Sequence, residues 1–442
     1  MLKKINVLIL CIILATSLFA GCGAKEKDQA DTEKKPTSNV SENDNTKKEE
    51  KEIKLKVAVW DNSATSVGVD LAAKFTEKYP NIKVDYIDVS SSEYTNKLSI
   101  MLNGGAALDV FYIKDADTSL SLYKKGQLYD MTSYAKESNI DLSKYNGLAE
   151  NFQFNGGLYG MPFRTDYYVL YYNKDIFDAA NEPYPTNDMT WDEYAEIAAR
   201  ITAGEGANKK YGVLTHTWSD CVQNWAIQDG KNTKIADDYT FMKPYYDRVL
   251  KMQNDDKSAL DYATLRTSNI HYSGPFLNGQ VGMMPMGSWF MSMIINKKSA
   301  GETDINWGVA TLPHDASIEA GYTVGATTPV AMNANSKNKD AAWKFIEFVT
   351  NEGAANYLAS QGMVPSILTD EALSTIASAE GMPEGVAEAL AVKNIVLDRP
   401  ITENVLEVSK IMGEEHGLIM FGEISVEEGL NNMKKRVAEI KK

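Results

Sequence analysis

The chain has 442 residues, a formal net charge of -15 and a pI near 4.9. That length exceeds one simple core and predicts two domains of ordinary size. Binding to nucleic acid needs a clustered excess of Lys and Arg, so the acidic balance argues against a nucleic-acid partner.

The N-terminus reads MLKKINVLILCIILATSLFAGC, with two lysines, an apolar stretch and small residues before a cysteine. This pattern is typical of an export signal, and the ending FAGC resembles a bacterial lipoprotein signal whose cysteine is lipidated after cleavage. We expect residues 1–21 to be removed and Cys22 to anchor the protein on the extracytoplasmic face of the cell membrane, although Phe19 stands where the lipoprotein pattern usually has Leu. An uncleaved anchor helix would predict almost the same location.

Residues 22–52 are almost free of apolar side chains and carry charges of both signs. Such a segment cannot form a core and is predicted to be a disordered tether with a reach of about 30 Å. Of the three cysteines, Cys11 lies in the signal and Cys22 is the predicted lipid site, which leaves Cys221 alone and permits no disulfide framework.

The first predicted elements of the folded part alternate between strand and helix. In chain order they lie at residues 53–60, 69–80, 81–89, 92–105 and 108–113. Pro80 stops the first helix, and Gly104 with Gly105 caps the second. This alternation is typical of an α/β unit with a largely parallel sheet.

The later elements are less regular in order. They are predicted as a tyrosine-rich strand after Phe163, a helix at 190–203, a mainly helical stretch at 236–300, a strand at 305–313, one regular helix at 338–362 and a last helix at 426–442. Thr190 and Glu193 have the spacing of a capping box at the start of their helix.

Seven segments in a fixed order resemble one known family. They are FTEKYPNIKVDY, YTNKLSIMLNGGAALDVFYI, GLYGMPFRTDYYVLYYNKDIF, TWDEYAEIA, FLNGQVGMMPMGSWF, WGVATLP and NKDAAWKFIEFVTNEGAANYLASQGMVP. From about Lys54 to the C-terminus the chain is similar to the extracellular solute-binding proteins of bacterial ABC importers, and within them to the sugar-binding, maltose-binding-protein-like group. Each segment is weak alone, whereas all seven in order are specific.

The resemblance implies an α/β fold of the type II periplasmic-binding-protein class, with two α/β lobes joined by a multi-segment hinge around a ligand cleft. Lobe 1 is expected to comprise residues 53–163 and 312–364, and lobe 2 residues 164–311 and 365–442. The crossings between lobes are expected near residues 162–164, 312 and 363–366. Lobe closure on the ligand is then a hinge motion.

The same resemblance implies a function. A sugar or oligosaccharide would be captured in the cleft and delivered to the transmembrane subunits of an ABC permease that works with a separate ATPase. No cofactor and no catalysis are implied, and we expect a monomer.

A sugar presents hydroxyl groups around its rim and C–H groups on its faces. Carboxylates accept hydrogen bonds from hydroxyls, Arg and amide side chains donate them, and flat aromatic rings cover the C–H faces. By this chemistry and the resemblance, the predicted ligand contacts are Trp60, Asp61, Asp115, Asp166, Tyr168, Trp218, Gln223, Trp289, Tyr322 and Arg399.

Two carboxylates and one tryptophan have the most direct support. Asp166 follows the YGMPF turn where relatives present a sugar-binding acid, and its alternative is a hinge ion pair with Arg164. Asp115 follows a strand at the edge where α/β folds place ligands, with Asp117 as its rival. Trp289, in MGSWF, stands where relatives stack a Trp on sugar; its alternative is a buried Trp at a helix start.

Other positions follow from strand ends and strand faces. Trp60 and Asp61 end the first strand, and Tyr168 shares the strand face of Asp166. Most of the neighbouring tyrosines are expected in the core. Trp218 and Gln223 lie in THTWSDCVQNW, where the family supplies further aromatic and polar contacts.

The last two positions come from the C-terminal half. Tyr322 lies in GYTVGATTP, which resembles the Gly-rich cleft loop of the family. Arg399, in LDRPI, would clamp hydroxyls or an acidic group, with a structural ion pair as the alternative.

Three other functions stay open from the residues. A secreted glycoside-acting enzyme has no G-x-S-x-G or H-E-x-x-H support, although carboxylate pairs for glycoside hydrolysis are not excluded. The same architecture can bind a peptide, polyamine, phosphate or iron, but the candidate tryptophans favour sugar. The tether alone would also permit an adhesin or a sensory partner. The four histidines lack close metal-ligand spacing, so no metal site is predicted.

Overall fold

A computed structural model describes residues 51–62, 67–145 and 147–440. Cys22, the predicted signal and nearly all of the predicted tether lie outside these residues. The strands are β1 Ile53–Trp60, β2 Ile82–Val89, β3 Val110–Tyr112, β4 Gln153–Phe154, β5 Gly157–Leu158, β6 Met161–Asn173, β7 Tyr211–Val213, β8 Val281–Gly287, β9 Trp307–Thr311, β10 Tyr322–Met332 and β11 Asn394–Leu397.

Helices cover much of the remaining chain. They are α1 Val67–Lys78, α2 Tyr94–Asn103, α3 Ser119–Lys124, α4 Thr132–Glu137, α5 Lys174–Ala180, α6 Trp191–Ile201, α7 Asp220–Ile227, α8 Lys243–Asn254, α9 Tyr262–Thr267, α10 Ser273–Leu277, α11 Trp289–Ser299, α12 Lys339–Thr350, α13 Glu352–Ser360, α14 Asp370–Ala377, α15 Val386–Leu390, α16 Val405–Phe421 and α17 Val426–Ile440. Short 3-10 turns include Ala116–Thr118 after β3. Within the described ranges, no helix is long and apolar enough to cross a membrane.

The main sheet has the strand order β2-β1-β3-β10-β6-β8-β7, with β11 beside β10 and β9 beside β6. Its first strands are parallel, as the alternating strands and helices predict, because β1 pairs with β2 and β3 in that sense. Strand β10 is antiparallel to both β3 and β6, and β6 is antiparallel to β8 and β9. The α/β class is confirmed, and the whole sheet is more mixed than its N-terminal part.

The long strand β6 changes partners along its length. Its first part pairs with β10, up to Tyr167 opposite Gly325, and its second part pairs with β8 and β9 from Tyr168 onward. Asp166 therefore lies next to the change of partner. Residues 363–366 run beside the first part, since Thr165 donates its backbone N–H to Val364 at 3.1 Å.

Buried apolar side chains form one large group and two smaller ones. The large group draws on residues between 167 and 312 and between 359 and 437, and the smaller groups draw on residues between 55 and 161 and between 330 and 367. Between Leu312 and Val330 the chain passes from the large group to a smaller one. This grouping is consistent with the predicted lobes, whose boundaries stay a prediction.

Three predicted elements differ from the structure. The stretch 236–300 contains strand β8, whose sequence VGMMPMG is buried at every position and so lacks the alternation that identifies a half-buried strand. The helix at 338–362 is two helices, because Asn351 adopts an extended conformation and its side chain accepts a hydrogen bond from the Ala354 N–H. The Gly-rich loop at 321–329 lies mainly in strand β10.

Candidate functional site

An aromatic cluster lies where β8 meets α11; we define it as Tyr168, Trp218, Tyr272 and Trp289. The Trp289 indole N–H donates a hydrogen bond to the Tyr272 hydroxyl at 3.0 Å, and the Trp289 ring stands edge-on to Tyr168 with ring centroids 5.8 Å apart. The ring centroid of Trp218 lies 5.6 Å from that of Tyr272 and 6.4 Å from that of Trp289, and Trp218 is 39% exposed. The cluster thus offers partly exposed ring surface on a firmly packed base.

Glycine is required directly beneath this cluster. A Cβ atom on Gly287 would lie 1.9 Å from the Trp289 ring, far inside van der Waals contact. The absence of a side chain at Gly287 therefore lets the indole lie against the end of β8. Gly287 also pairs with Tyr168 across the sheet, which fixes the two rings relative to each other.

Asp166 lies beside the aromatic cluster and has two partners. Its Oδ2 is 3.1 Å from the Arg164 Nε in an ion pair, and its Oδ1 accepts a hydrogen bond from the Ser288 hydroxyl at 3.2 Å. Burial raises the pKa of Asp166, while Arg164 and Ser288 act to lower it. The hinge ion pair with Arg164, which the sequence left as the alternative, is present, so a ligand contact by Asp166 remains a prediction.

The end of β1 faces this region through Trp60 and Asp61. The Arg164 guanidinium carbon is 5.6 Å from the centre of a Trp60 ring, which places Trp60 next to the Asp166 ion pair. Asp61 has a left-handed φ of 47° and accepts a hydrogen bond from the Ser91 N–H at 3.0 Å. Burial lowers the pKa of His271, and the nearby Asp61 carboxylate acts to raise it. The Asp61 carboxylate therefore lies close enough to His271, which precedes Tyr272 in the sequence, to affect its pKa.

A second charged group, which we call the arginine cage, consists of Arg399 with Asp115, Asp117 and Asp398. The shortest N–O distances from the guanidinium to these carboxylates are 3.3, 3.4 and 3.7 Å respectively. Burial alone would lower the pKa of Arg399, but Asp398, Asp117 and the other nearby carboxylates raise it well above its usual value. Arg399 is therefore held firmly in its charged form.

The three carboxylates of the arginine cage are held differently. Asp115 accepts a hydrogen bond from the Thr95 hydroxyl at 2.6 Å; although burial opposes it, Arg399 and Lys114 lower the pKa of Asp115. Both oxygens of the buried Asp117 lack a hydrogen-bond partner, and burial raises the pKa of Asp117 to about 6. Burial also raises the pKa of Asp398. Asp115 and Asp117, which the sequence offered as alternatives, therefore both pair with Arg399.

Asp220 connects the arginine cage to the aromatic cluster. It lies two residues after Trp218 and pairs with the buried Lys234. Burial raises the pKa of Tyr168 well above its usual value, and Asp220 and Asp398 raise it further. The cage and the cluster are therefore neighbours in one electrostatic environment.

A groove of about 540 Å³ opens beside Trp218 and Asp220. Its other lining residues are Thr217, Ser219, Tyr262, Arg266, Ser409, Lys410, Gly413, Glu414, Gly417, Leu418, Phe421 and Glu423. Most of its walls come from α9 and α16, so the exposed face of Trp218 lies at one edge of a space that combines apolar and charged side chains.

Two predicted contact residues lie apart from these groups. Gln223 is 0% exposed, and its amide donates hydrogen bonds to the Tyr246 hydroxyl and the Met412 carbonyl at 3.0 and 3.2 Å. It is a core residue in this structure, and its position does not support a ligand contact. Tyr322 begins β10, four residues before the position that pairs with Asp166, and its carbonyl accepts a hydrogen bond from Gln228.

Sequence reasoning did not single out Tyr272, Ser288 and Asp398 as members of the site. Tyr272 binds the Trp289 indole, Ser288 binds Asp166, and Asp398 faces Arg399. Ser288 and Asp398 adjoin predicted contacts in the sequence, so adjacency was an available signal. Tyr272 lies in HYSG, where nothing local distinguishes it from a core tyrosine.

Comparison with known proteins identifies the family. Residues 17–356 match the family model of the bacterial extracellular solute-binding proteins, and the chain belongs to this family. The structure of a sugar transporter from Rhizobium etli, in an open conformation, is 39% identical, with a TM-score of 0.76 over 87% of this chain and 99% of that one. The fold is accordingly that of the type II periplasmic binding proteins.

Curated relatives are more distant. The maltotriose-binding protein of Pyrococcus abyssi is 26% identical over 70% of this chain and 66% of its own length. The sn-glycerol-3-phosphate-binding periplasmic protein of Salmonella typhimurium is 24% identical over 70% of this chain and 74% of its own. The first curated relatives, from Brucella abortus, are 28% identical, and the chain spans about half of their length, 51%.

Proposed function

We propose that this chain is the sugar-binding component of an ABC importer, which captures a sugar or oligosaccharide and delivers it to the membrane permease without transforming it. The family is one of solute-binding proteins, and among the similar proteins one is named for maltotriose binding and another as a sugar transporter. The proposal extends their ligand class to this chain.

The observation that carries the proposal is the aromatic cluster beside Asp166. Rings of Trp218 and Trp289 offer apolar surface for the C–H face of a sugar, and the Asp166 carboxylate is an acceptor for its hydroxyls. Since Asp166 already accepts a bond from Ser288 and pairs with Arg164, its position is fixed before a ligand arrives. A fixed acceptor lowers the ordering cost of binding.

Closure of two lobes around the ligand is part of the proposal. The grouping of buried side chains and the passage of β6 between the groups are compatible with a hinge near residues 162–164 and 363–366. The ligand would then contact residues on both sides, such as Trp60 and Trp289.

Location and partners follow the same proposal. Cys22 would be lipidated, and the polar residues 22–52 would tether the folded part to the extracytoplasmic face of the membrane. The partners would be the transmembrane subunits of the permease and their separate ATPase, and the binding protein would act as a monomer. An extracytoplasmic family with a lipoprotein relative in Streptomyces antibioticus supports this location.

The test is the affinity of the full chain for saccharides, measured by isothermal titration calorimetry in a detergent that carries no sugar. Once a binding saccharide is found, Trp289→Ala should weaken it by about 30-fold or more, because truncating a central aromatic contact costs on the order of 2 kcal/mol. Tyr184→Ala is the control, since Tyr184 is an exposed aromatic outside the cluster. Unchanged affinity in Trp289→Ala, with normal folding, would contradict the stacking role.

A further inference from the structure

We propose that the site selects sugars that carry no negative charge, and that Asp117 and Asp398 impose this selection by holding Arg399. The inference rests on the proposed function and adds the charge class of the ligand. Neutral and anionic ligands both occur among similar proteins, since one is named for maltotriose and another for sn-glycerol 3-phosphate.

An anionic ligand needs a cation that is not already neutralised. Arg399 is the obvious anchor, but three carboxylates surround it at 3.3 to 3.7 Å. A phosphate or uronate that bound Arg399 would have to displace one of them and leave it buried without its cation. Removing one partner of a buried ion pair is strongly unfavourable.

The other cations around the aromatic cluster and the cage also have carboxylate partners. Arg164 pairs with Asp166 at 3.1 Å, Lys114 lies 3.7 Å from Asp115, and Lys234 pairs with Asp220. Together with Arg399, these four cations face five carboxylates, namely Asp115, Asp117, Asp166, Asp220 and Asp398. The excess of carboxylates repels an anion before it reaches any one cation.

The groove beside Trp218 does not reverse this balance. It contributes Arg266 and Lys410, but Asp220, Glu414 and Glu423 line the same space. Because Asp220 is already paired with Lys234, Glu414 and Glu423 balance Arg266 and Lys410, and these lining residues offer an anion no net positive charge. A neutral hydroxyl, by contrast, donates hydrogen bonds to carboxylates and gains from their excess.

Asp117 is the most informative member of the arginine cage. Its side chain is 1% exposed, and neither oxygen has a hydrogen-bond partner, so its interaction with the protein is mainly the ion pair with Arg399. Neutralising Asp117 removes one negative charge from Arg399 and leaves the predicted ligand contacts intact. Asp117 and Asp398 thus act as positioning residues for Arg399.

The experiment compares matched saccharides by calorimetry of the full chain in a sugar-free detergent. Gluco-, manno- and galacto-configured trisaccharides are each paired with the trisaccharide of the corresponding uronic acid, and sn-glycerol 3-phosphate is the phosphate probe. We expect the best neutral trisaccharide to bind at least about 100-fold more tightly than its uronate. The uronate carboxylates are repelled by the carboxylates of the site, and repulsion between two or more unit charges at such distances changes affinity by that order. Higher salt should reduce this difference in affinity, because it screens the repulsion between the uronate and the carboxylates of the site.

Variants test the assignment to the arginine cage. Asp117→Asn and Asp398→Asn should each lower the ratio of the affinity for the neutral trisaccharide to that for its uronate by about 10-fold. Asp304→Asn, at an exposed position, should leave this ratio unchanged. If one variant does not fold, as judged by circular dichroism, the other still provides the test. Equal ratios in all variants would overturn the roles of Asp117 and Asp398.

The outcomes separate this inference from the proposed function. A uronate or sn-glycerol 3-phosphate that binds as tightly as the best neutral trisaccharide would overturn charge selection and leave solute binding intact. Loss of that anion's affinity in Arg266→Gln would place the anion in the groove. Binding of no saccharide, neutral or acidic, would overturn the proposed function and the inference with it.

Discussion

At the residue scale, the buried carboxylate of Asp117 carries a pH dependence. Burial and the nearby Asp115, Asp398 and Asp220 outweigh Arg399 and raise the pKa of Asp117 from 3.8 to about 6. A raised folded-state pKa means that the folded protein binds this proton more tightly than the unfolded chain. The stabilisation from that proton is fully present below about pH 4 and is lost as the pH rises through 6.

The raised pKa of Asp117 makes the stability difference between Asp117→Asn and the wild type depend on pH. Asp117→Asn should gain stability relative to the wild type as the pH rises from 5 to 8, by about 1.4 kcal/mol, because about one unit of the pKa shift lies above pH 5 and each unit is worth about 1.4 kcal/mol. Urea unfolding of both proteins at several pH values measures the difference, with Asp304→Asn as the control. A difference that does not change with pH would show that Asp117 does not titrate in this range.

Ser288 gives a second prediction at this scale. Its hydroxyl donates to Asp166, so Ser288→Ala removes one of the two partners that fix the carboxylate. We expect saccharide affinity to fall by about 10-fold, the equivalent of one hydrogen bond to a charged group, while Ser288→Thr retains a donor. Calorimetry with the saccharide that binds best measures both variants, and equal losses in the two would argue against the hydrogen bond.

At the element scale, helix α6 is fixed by its capping box. The Thr190 side chain accepts from the Glu193 N–H, and the Glu193 carboxylate accepts from the Thr190 N–H, as the sequence predicts. Thr190→Ala should therefore destabilise the protein by about 1 kcal/mol, measured by urea unfolding, and Thr190→Ser should be close to wild type. Equal stability of the alanine and serine variants would contradict this role of the cap.

The elements show how far the sequence predicts the fold. Strand β1 is found at the predicted residues 53–60, because its alternation reports one buried face. Strand β8 was missed because both of its faces are buried, so burial leaves no period in the sequence. The break at Asn351 was missed because apolar spacing continues on both sides of it. Strand β9 is also buried at every position and was predicted, so full burial removes the periodic signal without always hiding the strand.

The site shows the same limit in another form. Trp289 and Asp166 were predicted from the family resemblance of their segments, and Trp289 lies in the aromatic cluster with Asp166 beside it. The arginine cage required the meeting of segments 284 residues apart, Asp115 and Arg399, which no local pattern reports. Gln223 has the right chemistry for a sugar contact, but helix α7 turns it into the core.

At the scale of the whole molecule, lobe closure predicts a change in dimensions. Saccharide binding should lower the radius of gyration measured by small-angle X-ray scattering, because the closed state brings the two sides of the cleft together. At a saccharide concentration about three times the wild-type Kd, Trp289→Ala should stay close to the unliganded value, because its affinity is expected to be about 30-fold lower. A binding saccharide that leaves the radius unchanged would argue against closure.

Sugar binding is tested by calorimetric titration of the full chain with a panel of mono- and oligosaccharides, with amino acids, phosphate, a polyamine and iron as controls. We expect saturable binding of one saccharide class, with one site per chain and no product formed. At about 100 times the Kd, the same ligand should stabilise the fold by roughly 2.7 kcal/mol. Binding of a control solute with no response to any saccharide would contradict sugar binding, and turnover of the saccharide would contradict a pure binding role.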